Sequence, residues 1–198
     1  MRRRPSESIR WMQSCCRLFS SVATSVVDLQ STRIELRPLS VRPDRKSVMK
    51  FDLSSISSKT ISNASLHLNA TPSGLGFASL TIDSSFAVYG ITDDAADSLP
   101  VDSGWGVAPA SAESGGSVDA RASQLLGRFI IPQGVQEGTY SIQSPELVEY
   151  LSRDQNQIAT MILVCETRSV KAASLVFGFA ASNNSTLSPP TLRLELSK

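Results

Sequence analysis

Histidine occurs once in this chain of 198 residues, at His67. Any Ser–His–Asp relay, Cys–His pair or histidine-bound metal must therefore pass through that one side chain. Cysteine is almost as scarce: Cys15, Cys16 and Cys165 cannot all pair within the chain, and adjacent cysteines rarely bridge because their Cβ vectors point apart. That excludes a disulfide framework. No run approaches the roughly 18 apolar residues a helix needs to cross a bilayer. The chain also lacks a Gly-X-Ser-X-Gly elbow, a phosphate-cradling glycine loop and a Cys-X-X-Cys pair. Hydrolysis by paired carboxylates needs none of these, and eighteen acidic residues leave it open. The expectation is nevertheless a protein that is not an enzyme, with His67 a surface residue on the polar face of a strand.

Net charge is close to zero, at +1, but unevenly spread. Residues 1–46 hold ten Lys or Arg against four Asp or Glu; residues 47–198 hold nine against fourteen. An acidic body argues against nucleic acid, because binding a polyanion draws most of its affinity from neutralising phosphates. Arg2 to Arg4 have the charge of a signal-peptide n-region, but Gln13 and Arg17 break the apolar segment that would follow. Residues 1–31 therefore read as a basic tail or degenerate leader. Residues 32–198 read as one domain, with 41% apolar content in the whole chain to build its core.

What is abundant is alternation. Ala64, Leu66, Leu68 and Ala70 alternate with Ser65, His67 and Asn69, and Met49, Phe51 and Leu53 do the same upstream. Period 2 predicts strands with one wet face. Ile34 and Leu36 predict an edge strand stopped by Pro38, which has no N–H for a ladder. Runs that are apolar on both faces, Phe86 to Ile91, Ile158 to Val164 and Leu175 to Ala180, predict central strands. Gln124 to Ile131, Thr139 to Ile142 and Thr191 to Leu196 complete the set. One short helix is expected after Ser144, with Pro145 in its first turn and Leu147, Tyr150 and Leu151 sharing a face. The fold class is an all-β antiparallel sandwich of jelly-roll type.

The order of Arg45-Lys46…Lys50-Phe51-Asp52-Leu53-Ser54-Ser55-Ile56, Ser62-Asn63-Ala64-Ser65-Leu66-His67-Leu68, Phe86-Ala87-Val88-Tyr89-Gly90-Ile91-Thr92-Asp93, Trp105…Ala108-Pro109 and Pro189-Pro190-Thr191-Leu192 resembles the DNRLRE-type domain, also classed as carbohydrate-binding module family 96. The resemblance implies a β-sandwich module of bacterial extracellular or cell-envelope proteins, with polysaccharide or glycan as partner, acidic polysaccharides such as alginate included. The chain departs from the family pattern at both ends. Val22 to Ser31 offer only Val26, Val27 and Asp28 in place of the usual opening sequence and turn, and Ser182-Asn183-Asn184 stand where the family carries Ser-Arg/Lys-Glu.

Three candidate sites follow. Trp105, between Gly104 and Gly106, either offers its indole face to a sugar ring or anchors its long loop. Arg168 and Lys171, in one turn, either grip a carboxylate or sulfate or stand solvated. Asp93, Asp94, Asp97 and Asp102 form either a solvated acidic loop or a structural calcium site; no other cofactor is expected, and their spacing fits no EF-hand. The alternatives to glycan recognition are a structural or adhesive surface domain without a sugar site, or a polysaccharide lyase or hydrolase.

Overall fold

Strand β4 (Thr60–Thr71) shows how the pattern becomes architecture: Ala64, Leu66, Leu68 and Ala70 are buried, while Asn63, Ser65, His67 and Asn69 are only half-buried on the other face. Burying one leucine of this kind contributes about 1.5–3 kcal/mol relative to leaving it in water. The computed structural model describes residues 25–30, 34–37, 46–56, 59–72, 82–94, 118–167, 177–181 and 184–197.

Two antiparallel sheets enclose the core. In the first, β1 (Ser25–Gln30), β10 (Thr191–Ser197), β4 and β7 (Gly138–Gln143) lie side by side in that order, and the two-residue β9 (Gly178–Phe179) also pairs with β4. In the second the order is β2 (Ile34–Arg37), β3 (Lys46–Asp52), β8 (Ile158–Cys165), β5 (Ser84–Ile91) and β6 (Ser123–Ile131). This is the all-β antiparallel sandwich that the alternation predicted. Two of the three doubly apolar runs are central, with β8 between β3 and β5 and β5 between β8 and β6, and β2 lies at an edge.

Consecutive strands β3 and β4 belong to opposite sheets. Between them, the Asp52 carboxylate accepts the Ser54 N–H at 2.8 Å, a 3₁₀ turn spans Ser54–Ile56, and Ile56 plugs the end of the core. Helix α1 (Pro145–Arg153) closes the same end: Ser144 Oγ accepts the Leu147 N–H at 3.0 Å, and Leu147, Tyr150 and Leu151 face inward. Phe86, Phe129, Tyr140, Phe177 and Phe179 form one stacked and edge-on aromatic cluster between the sheets, with centroids 5.2–6.3 Å apart.

Two expectations are corrected. Order expected to begin near Thr32 begins by Ser25, because Val27 and Leu29 pack onto the core while β1 pairs along β10 from Ser25↔Leu196 to Gln30↔Thr191. Two inward side chains are too few to show a period, so the sequence of these six residues reads as tail. The strand expected at Leu175 to Ala180 is described only as Gly178–Phe179, at the side of β4 and not in the centre of a sheet.

Candidate functional site

The loops expected to carry recognition are represented only at their roots. Asp93 and Asp94 follow β5; Asp97, Asp102, Trp105, Arg168 and Lys171 lie outside the described residues. Asp94 meets a residue that the sequence reading did not single out, Asp154, across a cavity of about 150 Å³ lined also by Ile91, Thr92, Gln124, Tyr150 and Arg153. Asp154 Oδ1 accepts the N–H groups of Asn156 and Gln157 at 3.0 and 3.2 Å, whereas the buried Oδ2 has no partner among the described residues. Burial pushes this carboxyl above its ordinary range, and the Asp94 charge adds to the shift. Among the described residues no group of three or more His, Cys, Asp or Glu is placed to hold a metal.

Where β8 ends at Cys165 and continues to Glu166 and Thr167, the second sheet brings four side chains together on its outer face. The end of β8 is pinned to the start of β5: Glu166 N donates to Ser85 O at 2.8 Å, and Ser85 N donates to Thr167 Oγ1 at 2.7 Å. Arg128 arrives from β6, opposite Ala87. Its guanidinium grips Glu166 with two parallel bonds, Nε to Oε2 at 2.9 Å and Nη2 to Oε1 at 3.0 Å. Ser85 Oγ donates to Oε2 at 3.3 Å, and Tyr89 OH, at 3.4 Å, points to Oε1. The fork holds the Glu166 carboxyl below its ordinary range and raises Arg128 further; partial burial, then the Glu166 charge, pushes the Tyr89 phenol up.

This cluster faces solvent, with the Arg128 side chain 51% and the Glu166 side chain 30% exposed. Ile130, 58% exposed, stands opposite Ser85 in the β5–β6 register and supplies an apolar neighbour. Tyr89 is also the one aromatic among the described residues outside the core between the sheets; its ring packs on the outer cluster of Val48, Ile91, Ile162 and Val164. The sequence carried a weak signal for this site, a lone arginine in the apolar run Leu125 to Ile131. The partner lies 38 residues away, and only the register β6–β5–β8 joins the two.

The outer face of the first sheet is polar. Gln143 Nε2 donates to Asn63 Oδ1 at 3.0 Å, and Thr139 Oγ1 to Asn69 Oδ1 at 2.7 Å. Ser65 Oγ lies 2.9 Å from His67 Nε2, the ring of the chain's single histidine. Among the described residues no carboxylate contacts the ring.

The fold defines the class, a two-sheet antiparallel β-sandwich with solvent-facing side-chain clusters on both outer faces. Compared with known proteins, the chain matches no family model and no curated sequence.

Proposed function

We propose that this chain is a non-catalytic carbohydrate-binding module for a polysaccharide or cell-surface glycan, acting outside the cell or at the cell envelope. The observation that carries this reading is the cluster of Tyr89, Ser85, Arg128 and Glu166 beside the exposed Ile130. Sugars present hydroxyls that both donate and accept, together with apolar C–H faces. A site that takes them needs a few oriented polar groups next to apolar surface, held on rigid elements. Here strands β5 and β6 hold Ser85, Tyr89 and Arg128, Glu166 directly follows β8, and hydrogen bonds at 2.7 and 2.8 Å fix the backbone beneath Glu166. Trp105, Arg168 and Lys171 belong to the same proposal as loop-borne contacts, and the resemblance to carbohydrate-binding modules points the same way.

A structural or adhesive domain is the second reading, favoured by the fact that Arg128 and Glu166 already satisfy one another. Affinity electrophoresis in gels containing neutral, carboxylated or sulfated polysaccharides separates the two. The glycan reading expects retardation on at least one polymer, and folded protein retarded on none, with calcium present, supports the structural domain. Calcium held by Asp93, Asp94, Asp97 and Asp102 is proposed as a structural ion; an unchanged melting temperature on adding it counts against that site.

A further inference from the structure

We infer that the Tyr89–Arg128–Glu166 cluster takes neutral, hydroxyl-rich sugars and disfavours uronates and sulfated sugars, an inference that rests on the glycan-binding reading above. The argument starts from donors and acceptors. Arg128 commits two of its N–H groups to Glu166 and keeps the others to donate elsewhere. Glu166 is ionised and can only accept; beyond Arg128 it draws on the hydroxyls of Ser85, at 3.3 Å, and Tyr89, at 3.4 Å. These two contacts are long for O–H···O bonds, so its oxygens still suit a better donor.

A sugar diol matches this arrangement. One hydroxyl donates to Glu166 while its neighbour accepts from Arg128, so both halves of the ion pair stay satisfied. A carboxylate or sulfate has no proton to give. It would compete with Glu166 for the same guanidinium, and its charge would stand beside a second fixed anion, which disfavours it electrostatically. The surroundings add to this: residues 47–198 hold fourteen acidic against nine basic side chains, so a polyanion is slowed on approach. This departs from the acidic-glycan expectation attached to Arg168 and Lys171, and the two are separable by substitution.

The test compares the full chain with Arg128→Ala, Tyr89→Phe, Glu166→Gln and an Arg168→Ala/Lys171→Ala double variant, each checked for an unchanged melting transition. Gels contain xyloglucan, mannan or mixed-linkage glucan on one side, and alginate, polygalacturonate or chondroitin sulfate on the other, at low and high salt. The expected result is retardation on a neutral polymer with little salt dependence, reduced severalfold by Arg128→Ala and by Tyr89→Phe. Glu166→Gln, which leaves Arg128 uncompensated, should gain salt-sensitive retardation on an acidic polymer. Stronger wild-type retardation on acidic polymers, abolished by the Arg168/Lys171 double variant, overturns the neutral class and leaves the glycan module standing. Neutral binding untouched by Arg128→Ala and Tyr89→Phe overturns this site. Retardation on none overturns the glycan reading itself.

Discussion

The ring of Tyr150 occupies the space above Gly90, its Cε2 only 2.6 Å from where a β-carbon on that glycine would sit. Helix α1 rests on strand β5 through this contact, and the Tyr150 hydroxyl donates to Thr160 O on β8 at 2.8 Å. Because the hydroxyl is anchored and the residue is 7% exposed, the ring has little room to yield. Gly90→Ala is therefore expected to cost about 1–3 kcal/mol through overpacking. Urea denaturation should show a lower midpoint at unchanged slope. Combining it with Tyr150→Leu should give less than the sum of the two single losses, since the second change removes the ring that the new methyl strikes.

Ser144 makes two bonds with one hydroxyl: it accepts from Leu147 N at 3.0 Å and donates to Leu126 O at 2.6 Å. The first caps the helix and the second ties that cap to β6. Ser144→Ala loses both and should destabilise by about 1–2 kcal/mol. Ser144→Thr keeps a hydroxyl in place and should stay close to the starting stability. A similar loss in both variants would mean that the hydroxyl is not what matters.

The cap was legible in the sequence because Ser144, Pro145, Glu146 and the spacing of Leu147, Tyr150 and Leu151 all act within two turns. Strand periods were legible for the same reason, and the doubly apolar runs correctly marked β5 and β8 as central. Pairing was not legible. Nothing local in Lys46–Asp52 says that it pairs with Ile158–Cys165 and not with the strand that follows it, and nothing near Arg128 names Glu166. The candidate site was read from loop composition, and loops carry no period from which a position in space could be inferred. The side chains that meet do so through register across three strands.

Tyr89 offers a spectroscopic check on the cluster. Partial burial and the Glu166 charge both push its phenol up, while Arg128 opposes them. Glu166→Gln removes the negative charge and leaves the guanidinium, so the phenolate becomes easier to form and the Tyr89 pKa should fall. Arg128→Ala leaves the carboxylate facing the phenol alone, and the pKa should rise. Opposite signs in the two variants, followed by NMR of ring-labelled tyrosine, are the expected outcome. Matching signs would mean that Tyr89 does not sense the pair.

Asp154 and Glu166 make opposite contributions to stability as pH changes. Glu166 has a folded-state pKa below its unfolded value, so its contribution is present above the unfolded pKa and lost as pH falls through the folded one. Asp154 is raised, chiefly by burial and then by repulsion from Asp94, so in the window above its unfolded value the folded state binds more protons than the unfolded chain. Stability must then fall as pH rises through that window, and the penalty persists above it. The residue cannot simply be deleted, because Oδ1 holds the N–H groups of Asn156 and Gln157, and Gln157, at a φ of 63°, offers the carbonyl that receives Leu53 N at 2.8 Å. Asp154→Asn keeps an acceptor at Oδ1 and discards the charge. Among the described residues Arg153, paired with Glu149 on the helix, Asp94 and Lys59 are the other charges lining the cavities that this carboxyl borders, and all remain in the variant. Denaturation curves from about pH 3 to 7 should show the variant gaining on the wild type as pH rises through the Asp154 window, then holding a constant lead. A pH-independent difference between the two proteins would show that the buried carboxylate carries no charge penalty.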